Sequence, residues 1–137
     1  MNRYSMVAIL VLSSVARGGP TQQPKMYYAD ISYGRPFAKD PDVEWFGGRY
    51  LMYYSVNRGK DGFAVGIAES SDLTRWTKVG EVLPAADYER KGLAAPAALV
   101  RGGKLHLFYQ TYGNGRDDAI CHAVSEDGIH FTRNATN

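Results

Sequence analysis

Asp40 and Asp42 stand two residues apart in Lys39-Asp40-Pro41-Asp42-Val43, at the mouth of a short apolar run. A carboxylate held there can take a proton as a general base or attack as a nucleophile, provided a second acidic group works opposite it. The same residue type also starts strands as a turn residue before proline. On an unbroken strand, Asp42 faces the same side as Asp40 and crowds it, or faces solvent. Arg35, a few residues upstream, offers a cation that can contact ligand hydroxyls or remain solvated. His106, His122 and His130 lie in strand-like runs and form no metal-ligand spacing. Cys121 is the only cysteine, so neither an intrachain disulfide nor a Cys-rich metal site can form, and it reads as a small buried hydrophobe. No metal and no cofactor are expected.

The elements that position Asp40 occur twice. Asp-Pro-Asp-Val-Glu-Trp-Phe-Gly-Gly-Arg-Tyr-Leu-Met-Tyr-Tyr-Ser aligns with Ala-Pro-Ala-Ala-Leu-Val-Arg-Gly-Gly-Lys-Leu-His-Leu-Phe-Tyr-Gln at an offset of 55 residues. Pro41 falls on Pro96, Gly47-Gly48 on Gly102-Gly103, and Tyr54 on Tyr109. The offset persists through Ser70 and Ser125, Asp72 and Asp127, and Trp76 and Phe131. An internal repeat of this length, built of short strands, predicts β-propeller blades. In the first unit the inner strand is Val43–Phe46, followed by a Gly-Gly hairpin and strands over Arg49–Ser55, Phe63–Glu69 and Thr77–Leu83. In the second, Ala98–Arg101, Lys104–Thr111 and Ala119–Ser125 repeat the first three strands. The sequence predicts an all-β chain of antiparallel four-stranded sheets, blade one at about 37–83 and blade two at about 94–137. Two blades cannot cover both of their faces, which predicts a portion of a larger propeller or self-association through exposed blade faces.

Composition narrows the partners. The chain has 137 residues, 45% hydrophobic and 22% charged, which is ordinary globular chemistry. The net charge of +2 arises from scattered residues with no Lys/Arg block, which argues against nucleic acid and anionic membrane as partners. Ten Tyr, five Phe and two Trp suit strands, and the same rings stack on sugars. Residues 1–25 read as a signal peptide and linker. Arg3 precedes an apolar run from Met6 to Leu12, and Ser14 and Ala16 occupy the small positions of a cleavage site. Secretion or periplasmic export is the resulting expectation. The folded part, 26–137, then begins near Met26.

Four stretches carry a family resemblance: Lys39–Ser55, Gly66–Trp76, Leu93–Gly113 and Ala123–Phe131. Asp-Pro before the first inner strand, the Ser-x-Asp-Leu-x-x-Trp turn and Ala-Pro before the second inner strand resemble the five-bladed propeller glycoside hydrolases of the furanosidase superfamily, families 43 and 32. The resemblance implies a glycosidase acting on arabinose-, xylose- or fructose-containing saccharides, with carbohydrate as the partner. It assigns the catalytic carboxylate to Asp40; Arg35, Asp42 and Pro96, read from their positions around it, are the candidate substrate-binding residues. In an inverting enzyme, as in family 43, Asp40 would be the general base. In a retaining one, as in family 32, it would be the nucleophile. Family 32 members typically carry Asn-Asp-Pro-Asn here, so Lys39-Asp40-Pro41-Asp42 favours inversion. Ala95 replaces the acid in the second unit, and Glu69, Glu81, Glu89 and Glu126 match no family acid motif.

Two other readings compete. A sialidase-type propeller needs Ser-x-Asp-x-Gly-x-x-Trp turns. Ser125-Glu126-Asp127-Gly128 lacks a residue between Asp and Gly, and Ser70-Ser71-Asp72-Leu73 lacks the Gly. The other is a non-catalytic carbohydrate-binding or interaction module that keeps the blades without the chemistry.

Overall fold

A computed structural model describes residues 28–137. The N-terminal export segment predicted above lies outside the described residues. Eight strands form two four-stranded antiparallel sheets. The first holds β1 (Lys39–Phe46), β2 (Arg49–Asn57), β3 (Phe63–Ser70) and β4 (Thr77–Val82), hydrogen-bonded in chain order. The second holds β5 (Leu93–Arg101), β6 (Lys104–Thr111), β7 (Ile120–Ser125) and β8 (Thr132–Arg133), again in chain order. These are the two predicted blades.

The hairpin turns follow from glycine. Gly47 and Gly48 have φ of 60° and 79°, and Gly102 and Gly103 have 59° and 72°. Positive φ at both central residues matches the twist of the flanking strands, and glycine adopts it without a Cβ clash. The turns at the other side of each sheet also repeat. Ser70 Oγ accepts from the Asp72 and Leu73 N–H groups, and Asp72 Oδ1 accepts from Thr74 and Arg75 N–H. Ser125 and Asp127 make the same four bonds to Asp127, Gly128, Ile129 and His130. Backbone donors concentrated on an Asp carboxylate hold both Asp72 and Asp127 well below the usual carboxylate range. For Asp127 the His130 side chain contributes first.

The main core lies between the blades. Leu51, Tyr53, Val65 and Ile67 of blade one meet Leu93, Leu105, Leu107, Tyr109, Cys121 and Ala123 of blade two. Burial of this apolar surface is the largest favourable term joining the sheets. Gly128 lets the second turn close on blade one: a Cβ there would lie 2.3 Å from Leu51 Cδ1. The Tyr53 hydroxyl then donates to the Gly128 carbonyl at 2.8 Å. The far face of blade one forms a second cluster of Met52, Tyr54, Val56, Ala64 and Ala68, covered by Tyr28, Ala38 and Trp76. Among the described residues no helix is long and apolar enough to cross a membrane.

Candidate active site

Asp40 sits one residue inside β1, where the expected inner strand started only at Val43. Both inner strands extend further than their apolar runs because each absorbs a bulge. Pairing is interrupted between Lys39 and Asp42 in β1 and between Ala94 and Ala97 in β5. Pro41 and Pro96 occupy the bulges, which edge strands tolerate because proline has no N–H to contribute to a ladder. The residue before each proline is left-handed, Asp40 at φ 52° and Ala95 at φ 49°. Asp tolerates this region through its short polar side chain. Alanine has no such compensation, and the conformation costs it about 1–2 kcal/mol. The bulge also ends the simple alternation that would point Asp40 and Asp42 the same way.

The bulges build a junction between the inner strands. Ser55, buried on β2, donates its hydroxyl to Asp40 Oδ2 at 3.1 Å and accepts the Ala95 N–H at 2.8 Å. One oxygen of the exposed Asp40 carboxylate is thus oriented by a hydroxyl that is itself anchored on blade two. Asp42 accepts the Ala98 N–H through Oδ2, and its Oδ1 accepts from the Val43 N–H at 3.1 Å. Its carboxylate therefore ties blade one to the inner strand of blade two. Pro96 is buried beside this junction, while Arg35 is exposed on the loop before β1 and shares a hollow with Tyr33, Phe37 and, from the end of β2, Asn57. The structure brings Asp40, Asp42 and the Ala95–Pro96 segment together. Arg35 remains on its own loop.

Four glutamates are held elsewhere in ion pairs. Glu69 pairs with Arg49 at 2.9 Å, Glu126 with Lys104 at 2.9 Å, Glu81 with Lys78, and Glu89 with Arg133 at 3.2 Å. The Glu89 site escaped the sequence reading. Its carboxylate is fully buried and accepts from the Tyr109 hydroxyl at 2.5 Å, from Arg133 Nε at 3.2 Å and from the Ala85 N–H at 2.8 Å. Blade one has the same device: Asp30 accepts from the Tyr54 hydroxyl at 2.9 Å and from Lys78 Nζ at 2.8 Å. Burial alone would raise both carboxyl pKa values. The hydrogen bonds from Lys78 and Ser32 to Asp30, and from Arg133 and Tyr109 to Glu89, outweigh it and lower both. Tyr54 and Tyr109 are pushed up, chiefly by burial and then by the hydrogen bonds they make in these networks.

Paired four-stranded blades with proline bulges at their inner strands, and a carboxylate exposed at the first bulge, make up part of a β-propeller. The chain belongs to the glycosyl hydrolases of family 32: residues 35–137 match the family's N-terminal domain. No curated protein matches the chain. Among solved structures, it resembles fructan 1-exohydrolase IIa from Cichorium intybus at 18% identity and a TM-score of 0.63, covering 73% of this chain and 21% of that one. It resembles the GH32 beta-fructofuranosidase BmSUC1 of Bombyx mori at 22% identity and 0.59, covering 73% and 23%. A GH43_1 enzyme from Xanthomonas citri follows at 20% identity and 0.60, covering 72% and 32%. These likenesses show the fold. The chain spans a third or less of each of these structures.

Proposed function

We propose that this chain supplies the first-blade carboxylate of a glycoside hydrolase acting on fructose-, arabinose- or xylose-containing saccharides. The observation that carries the reading is Asp40 itself. It is exposed at the start of the innermost strand, held in a left-handed bulge, and oriented by Ser55. A carboxylate serving only to start a strand would have no need of a buried hydroxyl fixing one of its oxygens. The family match supports fructose-containing substrates and the nucleophile role, against the inverting role read from Lys39-Asp40-Pro41-Asp42. In the retaining case Asp40 attacks the anomeric carbon, the leaving oxygen takes a proton from an acid, and water then hydrolyses the glycosyl ester. The acid must stand about 5–5.5 Å from Asp40 for retention, or about 6.5–9.5 Å for inversion. The ion-paired Glu69, Glu81, Glu89 and Glu126 do not suit that part, so it falls to a carboxyl outside this set.

The test is turnover of sucrose, inulin-type fructan, an aryl arabinofuranoside and an aryl xyloside by a polypeptide carrying this chain with a complete set of blades. Asp40→Asn should lower turnover about 10²–10⁴-fold while leaving the circular dichroism spectrum unchanged. The anomer formed first assigns the role. Turnover unaffected by Asp40→Asn would remove Asp40 from the chemistry.

A further inference from the structure

The open face of blade two carries two imidazoles where blade one has aliphatic side chains. Strand register sets Leu99 opposite His106, His106 opposite Val124, Phe108 opposite His122 and Gln110 opposite Ile120, all on that face. At the offset of 55, His106 and His122 take the places of Leu51 and Ile67, which pack in the core between the blades. Their rings are hydrogen-bonded, His122 Nε2 to His106 Nδ1 at 3.0 Å. They are parallel within 5° with centroids 5.3 Å apart, which is the spacing of an in-plane N–H···N bond rather than of a face-to-face stack.

Asn134 fixes where the protons sit. Its Oδ1 accepts from the Thr136 N–H at 3.2 Å and from the Thr136 hydroxyl at 3.1 Å. Its amide nitrogen, which can only donate, is thereby turned to His122 Nδ1 at 3.3 Å. His122 accepts at Nδ1, carries its proton on Nε2 and donates it to His106 Nδ1. This line is complete only while both rings are neutral, because a proton on either Nδ1 sets donor against donor. The hollow around the pair also holds Lys104, Glu126, Asp127, His130 and Arg133. Both of its carboxylates are already paired: Glu126 with Lys104 at 2.9 Å and Asp127 with His130 at 2.6 Å. Arg133 is held by Glu89. Phe108, stacked on His122 at 4.7 Å, offers an imidazolium only its ring face. The neutral pair satisfies its own polar atoms and can be buried. The charged pair cannot, without a large desolvation cost.

The far face of blade one is closed by Tyr28, Ala38 and Trp76, so a copy docking head to tail would meet no open blade face there. The same blade-two face on a second copy is open, apolar at Leu99, Phe108 and Ile120, and fits an isologous pair. At its rim Arg101 and Lys104 are matched by Glu126 and Asp127, so two copies bring no net charge together.

We propose that this face is a proton-sensitive docking surface for a second copy of the chain, held while His106 and His122 are neutral and released when they charge. Docking favours the unprotonated pair, so association is present above the imidazole range and is lost as pH falls through it. Sedimentation of the 137-residue chain at micromolar concentration tests this, at about pH 8 and about pH 5.5, with circular dichroism to show the same fold at both. The chain should be a dimer at the higher pH. Its dissociation constant should rise at least about tenfold at the lower one, since each proton taken up on release contributes up to about tenfold per pH unit below the imidazole range. His106→Leu with His122→Ile, the blade-one side chains at these positions, should dimerise equally at both. His122→Gln, a neutral polar replacement, should weaken the dependence too, which keeps the test if the apolar pair alters the fold. His130→Gln should leave the dependence as it is. Equal association of the unaltered chain at both pH values, or a dependence that survives the substitutions of His106 and His122, would overturn the proton control. A monomer at the higher pH would overturn the pairing and leave the face to a further blade.

Discussion

Glu89 is fully buried, yet it is ionised, because Arg133, Tyr109 and the backbone of the crossover replace the water it lost. Removing one member of such a pair strands the other. Glu89→Gln should lower stability by about 3–5 kcal/mol, read from urea unfolding. Asp30 and Glu89 have folded-state pKa values below their ordinary ones, so their contribution is present above the ordinary carboxylate value, about pH 4. It is lost as pH falls through the lower folded values. The urea midpoint should therefore drop steeply between pH 5 and pH 2.5 (about these limits), and Glu89→Gln should make that drop shallower. A midpoint equal at both ends would contradict this account of the two networks. The sequence carried half of this device. Tyr54 and Tyr109, and Lys78 and Arg133, keep the offset of 55, whereas Asp30 and Glu89 are 59 apart and so fall outside the repeat. The carboxylates sit on connecting loops of unequal length, where nothing in strand periodicity marks them.

At the scale of the element, the two inner strands solve one problem with different residues. The bulge forces the residue before proline into left-handed backbone in both. Asp40 is suited to it and Ala95 is not. Ala95→Gly should raise stability by up to about 1 kcal/mol, the relieved strain less the added chain entropy, measured by thermal unfolding. Gly128→Ala should do the reverse. It places a methyl against Leu51 at φ 79° and should cost about 2–4 kcal/mol. A neutral effect there would mean that the second turn does not close on blade one. Hairpins and strand identities were legible, because Gly-Gly turns and apolar alternation are local signals. The strand starts were not. Proline reads as a strand breaker, and only the edge position of β1 and β5, a property of the assembled sheet, permits it inside them.

For the whole molecule, the repeat says which faces want partners. His106, Phe108 and His122 lie 55 residues after Leu51, Tyr53 and Ile67, the blade-one residues that pack against blade two. The corresponding face of blade two carries Leu99, Phe108 and Ile120 at 49%, 39% and 70% exposure. A patch of this kind drives association. The isolated chain should sediment as an oligomer at micromolar concentration, and Phe108→Lys with Ile120→Lys should shift it toward monomer. A compact monomer of the unaltered chain in analytical ultracentrifugation would contradict that.

The central claim is that saccharide meets this chain at the Asp40 junction. Nuclear magnetic resonance of the labelled chain, titrated with oligosaccharide, tests it directly. The account predicts that the Asp40 carboxyl carbon and the Ala95 amide, linked through Ser55, shift together and saturably, and that Asp40→Asn weakens the binding. Shifts confined to His106, His122 and His130 on the open face of blade two, with the Asp40 and Ala95 signals unmoved, would contradict it.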